Sequence, residues 1–172
     1  MKRSTFPPLV LLILAAIVAT TSTSAAIVPE HGPSASGAGL FRFRNPLTER
    51  TEIWSFSFEA IANKNGQTRG RALFENLTAQ TQVVVRIDCL SVTSAFDLTF
   101  ASLSGRVLHS DDANLPKLET VIFAASDGPL LPFGSDTITP LFPLFPSLGE
   151  DCRDTQPLTI LPVEEGEIQI QP

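Results

Sequence analysis

The sequence of 172 residues contains no tyrosine, one tryptophan, one methionine, two histidines and two cysteines. Two histidines and two widely separated cysteines do not supply the closely spaced ligand set of a zinc site, and no C-x-x-C pair is present for redox chemistry. The G-x-S-x-G elbow of many serine hydrolases is also missing. The sequence therefore predicts no metal and no cofactor, and it offers no catalytic motif.

Positive charge is scarce as well. Lysine and arginine number 12 against 18 aspartates and glutamates, which gives a net charge of −6. Loss of Lys2 and Arg3 with an N-terminal signal would change the balance to 10 − 18 = −8. The other basic residues are scattered along the sequence, whereas nucleic acids and anionic lipids require a concentrated positive surface. We therefore expect no nucleic-acid partner.

An unbroken apolar run near the N-terminus, the 11 residues Leu9–Ala19, follows two basic residues. A transmembrane helix needs about 20 apolar residues. Small residues at Ser24 and Ala26 fit a signal-peptidase site. Residues 1–26 are therefore predicted to be a cleaved signal peptide, with cleavage one residue earlier as the alternative. The mature protein is expected to be secreted, either periplasmic or extracellular, without a transmembrane anchor.

Cys89 and Cys152 lie 152 − 89 = 63 positions apart. In an oxidising compartment, an isolated pair in a small domain is more often a disulfide than two thiols. Closing a loop of this length is worth about 4 kcal/mol in the chain-entropy model. The pair is therefore predicted to be a structural disulfide.

Alternation of apolar and polar residues predicts strands through much of the chain. Trp54, Phe56 and Phe58 share one face of the clearest strand, and the Asn65-Gly66 pair suits a tight turn into a second strand at 68–75. Further strands are expected at 82–92, 95–108, 118–125 and 166–171, with a bulge or bend at Ser104-Gly105. In the 82–92 strand, the alternation places Cys89 in the core beside Val83, Val85 and Ile87.

The fold class predicted from these patterns is all-β, since no helical stripe exceeds two turns after the signal. We expect a small antiparallel barrel, with a two-layer β-sandwich as the alternative. Residues 27–38 are small or turn-forming and are predicted to be a flexible leader. Residues 39–172 then form a single domain.

The segment 129–148 threads five prolines among large apolar side chains. Prolines at this density disfavour a central strand or a helix, so an extended loop is predicted. The loop either packs as a flap that closes one end of the sheet or acts as a lid or docking face for an apolar ligand or protein partner. Its candidate contact residues are Leu130, Leu131, Phe133, Leu141, Phe142, Leu144 and Phe145.

Polar candidates are few. The segment His109–Asn114 holds oxygen ligands suited to Ca²⁺, but its spacing matches no EF-hand loop, and a polar turn is the better interpretation. Asn76-Leu77-Thr78 fits the N-glycosylation pattern. A small hydrolase or isomerase would have to use Glu59, Asp88 or Asp97 as acid or base in a cleft.

The segments Phe56–Ala60, Gly70–Phe74 and Ile87–Leu90, with the strand at Ser104–Val107, resemble a loosely defined set of short secreted bacterial proteins. The resemblance covers residues 39–170. It implies a single β domain behind a signal peptide and transfers no catalytic residue. These proteins have a more polar, glycine-rich stretch where this chain has its proline-rich segment, so a shared ligand is not implied.

The β framework, the predicted disulfide and the lack of a catalytic motif lead us to expect a non-enzymatic binding or interaction module. The alternatives are the small hydrolase or isomerase, with its site at a barrel mouth, and a structural component of an envelope or matrix that associates through the apolar loop.

Overall fold

The computed structural model describes residues 32–46, 49–95, 98–113, 115–117, 119–130, 134–144, 152 and 159–172. The predicted signal peptide and the first part of the predicted leader lie outside these ranges. All regular structure within them is β. The strands are β1 (Ser34–Arg44), β2 (Thr51–Ala62), β3 (Thr68–Asn76), β4 (Thr81–Ala95), β5 (Leu98–Ser110), β6 (Thr120–Leu130), β7 (Ser135–Ile138), β8 (Phe142–Pro143), β9 (Leu161–Pro162) and β10 (Glu165–Gln171).

These strands form one antiparallel sheet in the order β10-β1-β2-β3-β4-β5-β6-β7-β9, with β8 paired to β6. Sequential strands are neighbours from β1 to β7, which is the meander that short turns produce. The all-β antiparallel prediction is confirmed. Among the described strands, backbone pairing leaves the sheet open, so the barrel itself is not confirmed.

Two aspartate side chains link β10 to the far end of the sheet. Asp127 accepts a hydrogen bond from the backbone amide of Ile170 at 3.0 Å, and Asp136 accepts one from Ile168 at 2.8 Å. The second Asp136 oxygen accepts from the amide of Gly128 at 3.0 Å. Carboxylates therefore take the place of a backbone partner along this edge, where unpaired amides would otherwise be left.

The core lies against the face of the sheet that carries the alternating aromatic residues of β2. Phe123 makes edge-to-face contacts with Phe58 and Phe74, with ring centroids 5.4 Å and 5.1 Å apart. Phe56 lies 6.1 Å from Phe58 and packs between the two strands that flank β2. Such pairs add about 0.5–1.5 kcal/mol each beyond the area they bury.

The leader prediction is wrong at its C-terminal end, because β1 begins at Ser34 and not after residue 38. The small residues there are required by packing. A side chain at Gly37 would meet Phe58 and Ile168 at 2.9 Å, and one at Gly39 would clash with the carbonyl oxygen of Glu165. The small residues that resemble a flexible linker therefore belong to a strand that packs closely against large side chains.

The disulfide between Cys89 and Cys152 is present, with Cα atoms 5.9 Å apart. The predicted core position of Cys89 is wrong. The strand pairing shifts between Ile87 and Cys89, where β4 has one residue more than the paired Ser104-Gly105 segment of β5. After this extra residue, the core face of β4 continues with Leu90 and not with Cys89. The bulge turns the cysteine to the other face of the sheet. The disulfide therefore pins Cys152 to the outside of β4.

Candidate functional site

A cavity of about 360 Å³ opens where β1, β2 and β3 meet the turn after β5 and the β7–β8 connection. Its volume lies within the range of small-molecule sites, about 300–1,000 Å³. Most of its described lining side chains are apolar, and none is a lysine or arginine. They include Phe41, Phe43, Trp54, Leu115, Leu141 and Phe142, with the polar residues Asn45, Glu52, Asn76, Asp111 and Asp112.

The aromatic wall of the cavity comes from β1 and β2. Phe41 and Trp54 are cross-strand partners whose rings stack at 6.4 Å with an interplanar angle of 9°. Phe41 is 1% exposed, whereas Trp54 is half-buried and packs against the core. The only tryptophan of the chain thus presents part of its ring to the cavity.

The polar centre of the cavity is the carboxylate of Glu52. Its Oε1 accepts from the Asn45 amide at 2.8 Å, and its Oε2 accepts from Asn76 at 2.7 Å and from the indole of Trp54 at 3.1 Å. All three donors are neutral. None of the ion pairs between described residues involves Glu52. The carboxylate is therefore held in place by hydrogen bonds and carries its negative charge to the cavity.

Asn76 supports this arrangement from below. Its side chain is 4% exposed, and its carbonyl oxygen accepts from the backbone amides of Thr78 at 3.0 Å and Ala79 at 2.9 Å. The residue closes the turn after β3 while its amide orients Glu52. Because the side-chain nitrogen is buried and bonded, Asn76 is not presented as the glycan acceptor that the sequence pattern suggested.

The proline-rich segment lines the opposite wall. The extended-loop prediction is incomplete, because its proline-free stretch forms β7 and Phe142–Pro143 forms β8. Phe142 pairs with Ile122, and the amide of Leu144 donates to the Thr120 carbonyl at 2.7 Å. The backbone of residues 142–144 is thus paired with β6. A strand can form here because proline does not occupy a position whose backbone amide is required for hydrogen bonding.

Three of the seven predicted contact residues of this segment have side chains that the structure describes. Leu141 and Phe142 line the cavity, and Leu144 is buried nearby. Leu130 lies in β6, and nothing is described of its side chain. Leu131, Phe133 and Phe145 lie outside the described residues.

The predicted polar turn after β5 is present at the rim. The hydroxyl of Ser110 donates to the carbonyl of Asp112 at 3.1 Å and accepts from its amide at 3.0 Å. His109 Nε2 lies 3.2 Å from Asp111 Oδ1, with both side chains about half exposed. In the parts of the chain that the structure describes, no three potential ligands group to hold a metal ion.

The acid and base candidates of the hydrolase alternative lie elsewhere. Glu59 is exposed on the outer face of β2. Asp88 is exposed at the β4 bulge, with an oxygen 3.7 Å from the Arg86 guanidinium. Asp97 lies outside the described residues. Asp88 lines a shallow depression of about 650 Å³, and Glu59 lines a separate one of about 540 Å³. The two described carboxylates are thus not together in one cleft.

The sequence did not single out Glu52, and it indicated Asn76 only as a glycosylation site. Glu52 lies two residues before Trp54 in β2, and Asn76 lies two residues after Phe74 in β3. Residues two apart in a strand share a face, so both polar side chains lie on the core face of the sheet, beyond the end of the apolar pattern. This two-residue spacing was the sequence signal that could have identified them. Polar residues in register with a core face, at the ends of neighbouring strands, indicate a lined opening.

No protein-family model, no curated protein and no solved structure matches the chain. None of the described segments is a helix long and apolar enough to cross a membrane.

Proposed function

We propose that the protein is an exported, non-enzymatic binding module that takes a small apolar ligand into the cavity between Trp54 and Phe142. The ligand's polar end is a hydrogen-bond donor, preferably an ammonium group, that contacts Glu52. The single observation that carries the proposal is the Glu52 carboxylate, held by three neutral donors at the centre of an aromatic cavity.

The hydrogen-bond count supports a donor on the ligand. An ionised carboxylate offers about four acceptor positions. Three are used by Asn45, Trp54 and Asn76, which leaves one on Oε1. A donor group on the ligand completes the set without any movement of the protein, and prior ordering of this kind lowers the entropy cost of binding.

The charge around the cavity supports a cation. Glu52, Asp111 and Asp112 are among its lining residues, and the described lining contains no basic residue. The half-buried ring of Trp54 adds an aromatic surface to which an ammonium group is attracted. An anionic ligand would meet three carboxylates instead.

The finer features of the fold belong to the same proposal. We propose that the rolled sheet acts as a small barrel. β9 pairs with β7 and leads within two residues into β10, which pairs with β1, and the side chains of Asp127 and Asp136 add hydrogen bonds to β10. Export after cleavage of residues 1–26 would supply the oxidising compartment in which the Cys89–Cys152 disulfide persists.

Native mass spectrometry of the protein purified from the exported fraction tests this proposal. We expect a denatured, non-reduced mass that begins near Ile27 and is two hydrogens light, and a native mass that is larger by one discrete increment. Phe142→Ala should remove the increment, because it opens the flap wall of the cavity. Leu108→Ala, which truncates a side chain 40% exposed and outside the lining, is the matched control and should retain it.

The hydrolase alternative makes a different prediction. It requires turnover of an ester or polysaccharide that is lost when Glu59 or Asp88 is changed to its amide. Turnover with that loss would overturn the binding-module proposal.

A further inference from the structure

The outer face of the sheet carries a row of three arginines that the sequence does not reveal. Arg71 on β3 is the direct cross-strand partner of Arg86 on β4, and Arg86 is the partner of Arg106 on β5. Adjacent strands are about 4.8 Å apart, so three guanidinium groups project from neighbouring positions on one face. Basic residues that are scattered along the chain are thus brought together by the meander.

All three side chains are available to a partner. Each arginine is exposed, and the side chain of Arg86 is 57% exposed. Among the described residues, the row makes a single ion pair, between Arg86 and Asp88 at 3.7 Å. The guanidinium groups of Arg71 and Arg106 form no hydrogen bond or ion pair with the described part of the chain.

This arrangement is costly for the isolated protein. Like charges directly opposite each other on neighbouring strands are destabilising. Exposed arginines at such positions add nothing to the core, and the protein as a whole has a net charge of −6. A local positive row on an acidic protein therefore points to a bound anion that offsets the repulsion.

The carboxylates beside the row limit the kind of anion. Glu59 lies opposite Arg71 on β2, and Asp88 adjoins Arg86. Both carboxylates repel any anion, so a bound anion has to match the spacing of the arginines, and duplex DNA with about one charge per 1.7 Å of axis is too densely charged. A polymer with one carboxylate per sugar has a charge interval closer to the strand spacing than that of duplex DNA. Guanidinium groups also pair with carboxylates through two parallel hydrogen bonds.

We propose that the row formed by Arg71, Arg86 and Arg106 is a binding surface for an acidic polysaccharide that carries carboxylate groups. The polymer lies across β3, β4 and β5, with successive carboxylates on successive arginines. This surface is on the opposite face of the sheet from the core and is separate from the Trp54 cavity, so the two sites are independent.

Affinity electrophoresis through gels containing polygalacturonate tests the proposal, with uncharged dextran as the reference gel. We expect the native protein to be retarded by polygalacturonate at low salt and released as salt is raised. The triple variant Arg71→Gln, Arg86→Gln, Arg106→Gln should bind at least about tenfold more weakly, since three charge-assisted contacts are removed.

The matched control is Arg44→Gln, Lys64→Gln, Lys117→Gln, which removes the same charge from exposed positions outside the row. It should bind within about twofold of the native protein, because remote surface charges are screened. Thermal melting should show that both triple variants are folded. Absence of retardation of the native protein, equal loss in the two variants, or equally tight retention by duplex DNA would each overturn the proposal.

Discussion

The side-chain amide of Asn76 donates to Glu52 Oε2 over 2.7 Å and ties the last residue of β3 to the second residue of β2. The carbonyl of the same side chain holds two backbone amides of the following turn. A single buried residue therefore fixes both the turn and the carboxylate. The orientation of Glu52 is set by the fold before any ligand arrives, which is the property a binding site requires.

Replacing Asn76 by Asp should destabilise the protein by about 1–3 kcal/mol, because a second buried carboxylate would face Glu52 without a donor between them. Urea denaturation measures the loss in the free energy of unfolding. Asn65→Asp adds the same charge in the exposed β2–β3 turn and should change it by no more than about 0.5 kcal/mol. Equal effects of the two substitutions would mean that the buried contact with Glu52 contributes nothing.

Asp136→Ala tests the linkage at β10. The change leaves the amides of Ile168 and Gly128 without their acceptor, so we expect a loss of about 2 kcal/mol and faster hydrogen exchange at both amides. Glu167→Ala, which removes an exposed carboxylate on the same strand, should leave both amides protected. Unchanged exchange at Ile168 in Asp136→Ala would show that the sheet does not depend on this side chain.

Removal of the disulfide should have a large effect on stability. The double variant Cys89→Ala, Cys152→Ala releases a constraint across 63 residues and should lower the free energy of unfolding by about 4 kcal/mol. Chemical denaturation of the oxidised native protein against the variant gives the difference. A loss below about 1 kcal/mol would indicate that the disulfide contributes little to the stability of the fold.

Much of the strand pattern follows from local sequence. The β2–β3 hairpin was predictable because period-two alternation and the Asn-Gly pair agree, and Gly66 does adopt a positive φ of 77°. The side of the sheet on which Cys89 lies was not predictable. One inserted residue in β4 inverts the face, and local alternation carries no signal for an insertion that is set by the partner strand.

The two proposed sites were hidden for a related reason. Arg71, Arg86 and Arg106 become neighbours only through cross-strand register, which depends on three strands at once. Glu52 and Asn76 are 24 positions apart and meet for the same reason. The apolar wall at Leu141 and Phe142 was predictable from composition, because that much apolar surface must be covered by something.

The most direct test of the account is a titration followed by the fluorescence of Trp54, which reports on the cavity without background because the chain has no other tryptophan and no tyrosine. The probes are octylammonium, octanol and octanoate, which share a chain length and differ in their polar end. Octylammonium should shift the emission at the lowest concentration, octanol should follow, and octanoate should have no effect. Glu52→Gln should abolish the preference for the ammonium probe. Equal responses to all three probes, or a native protein that responds to none, would contradict the proposed binding function.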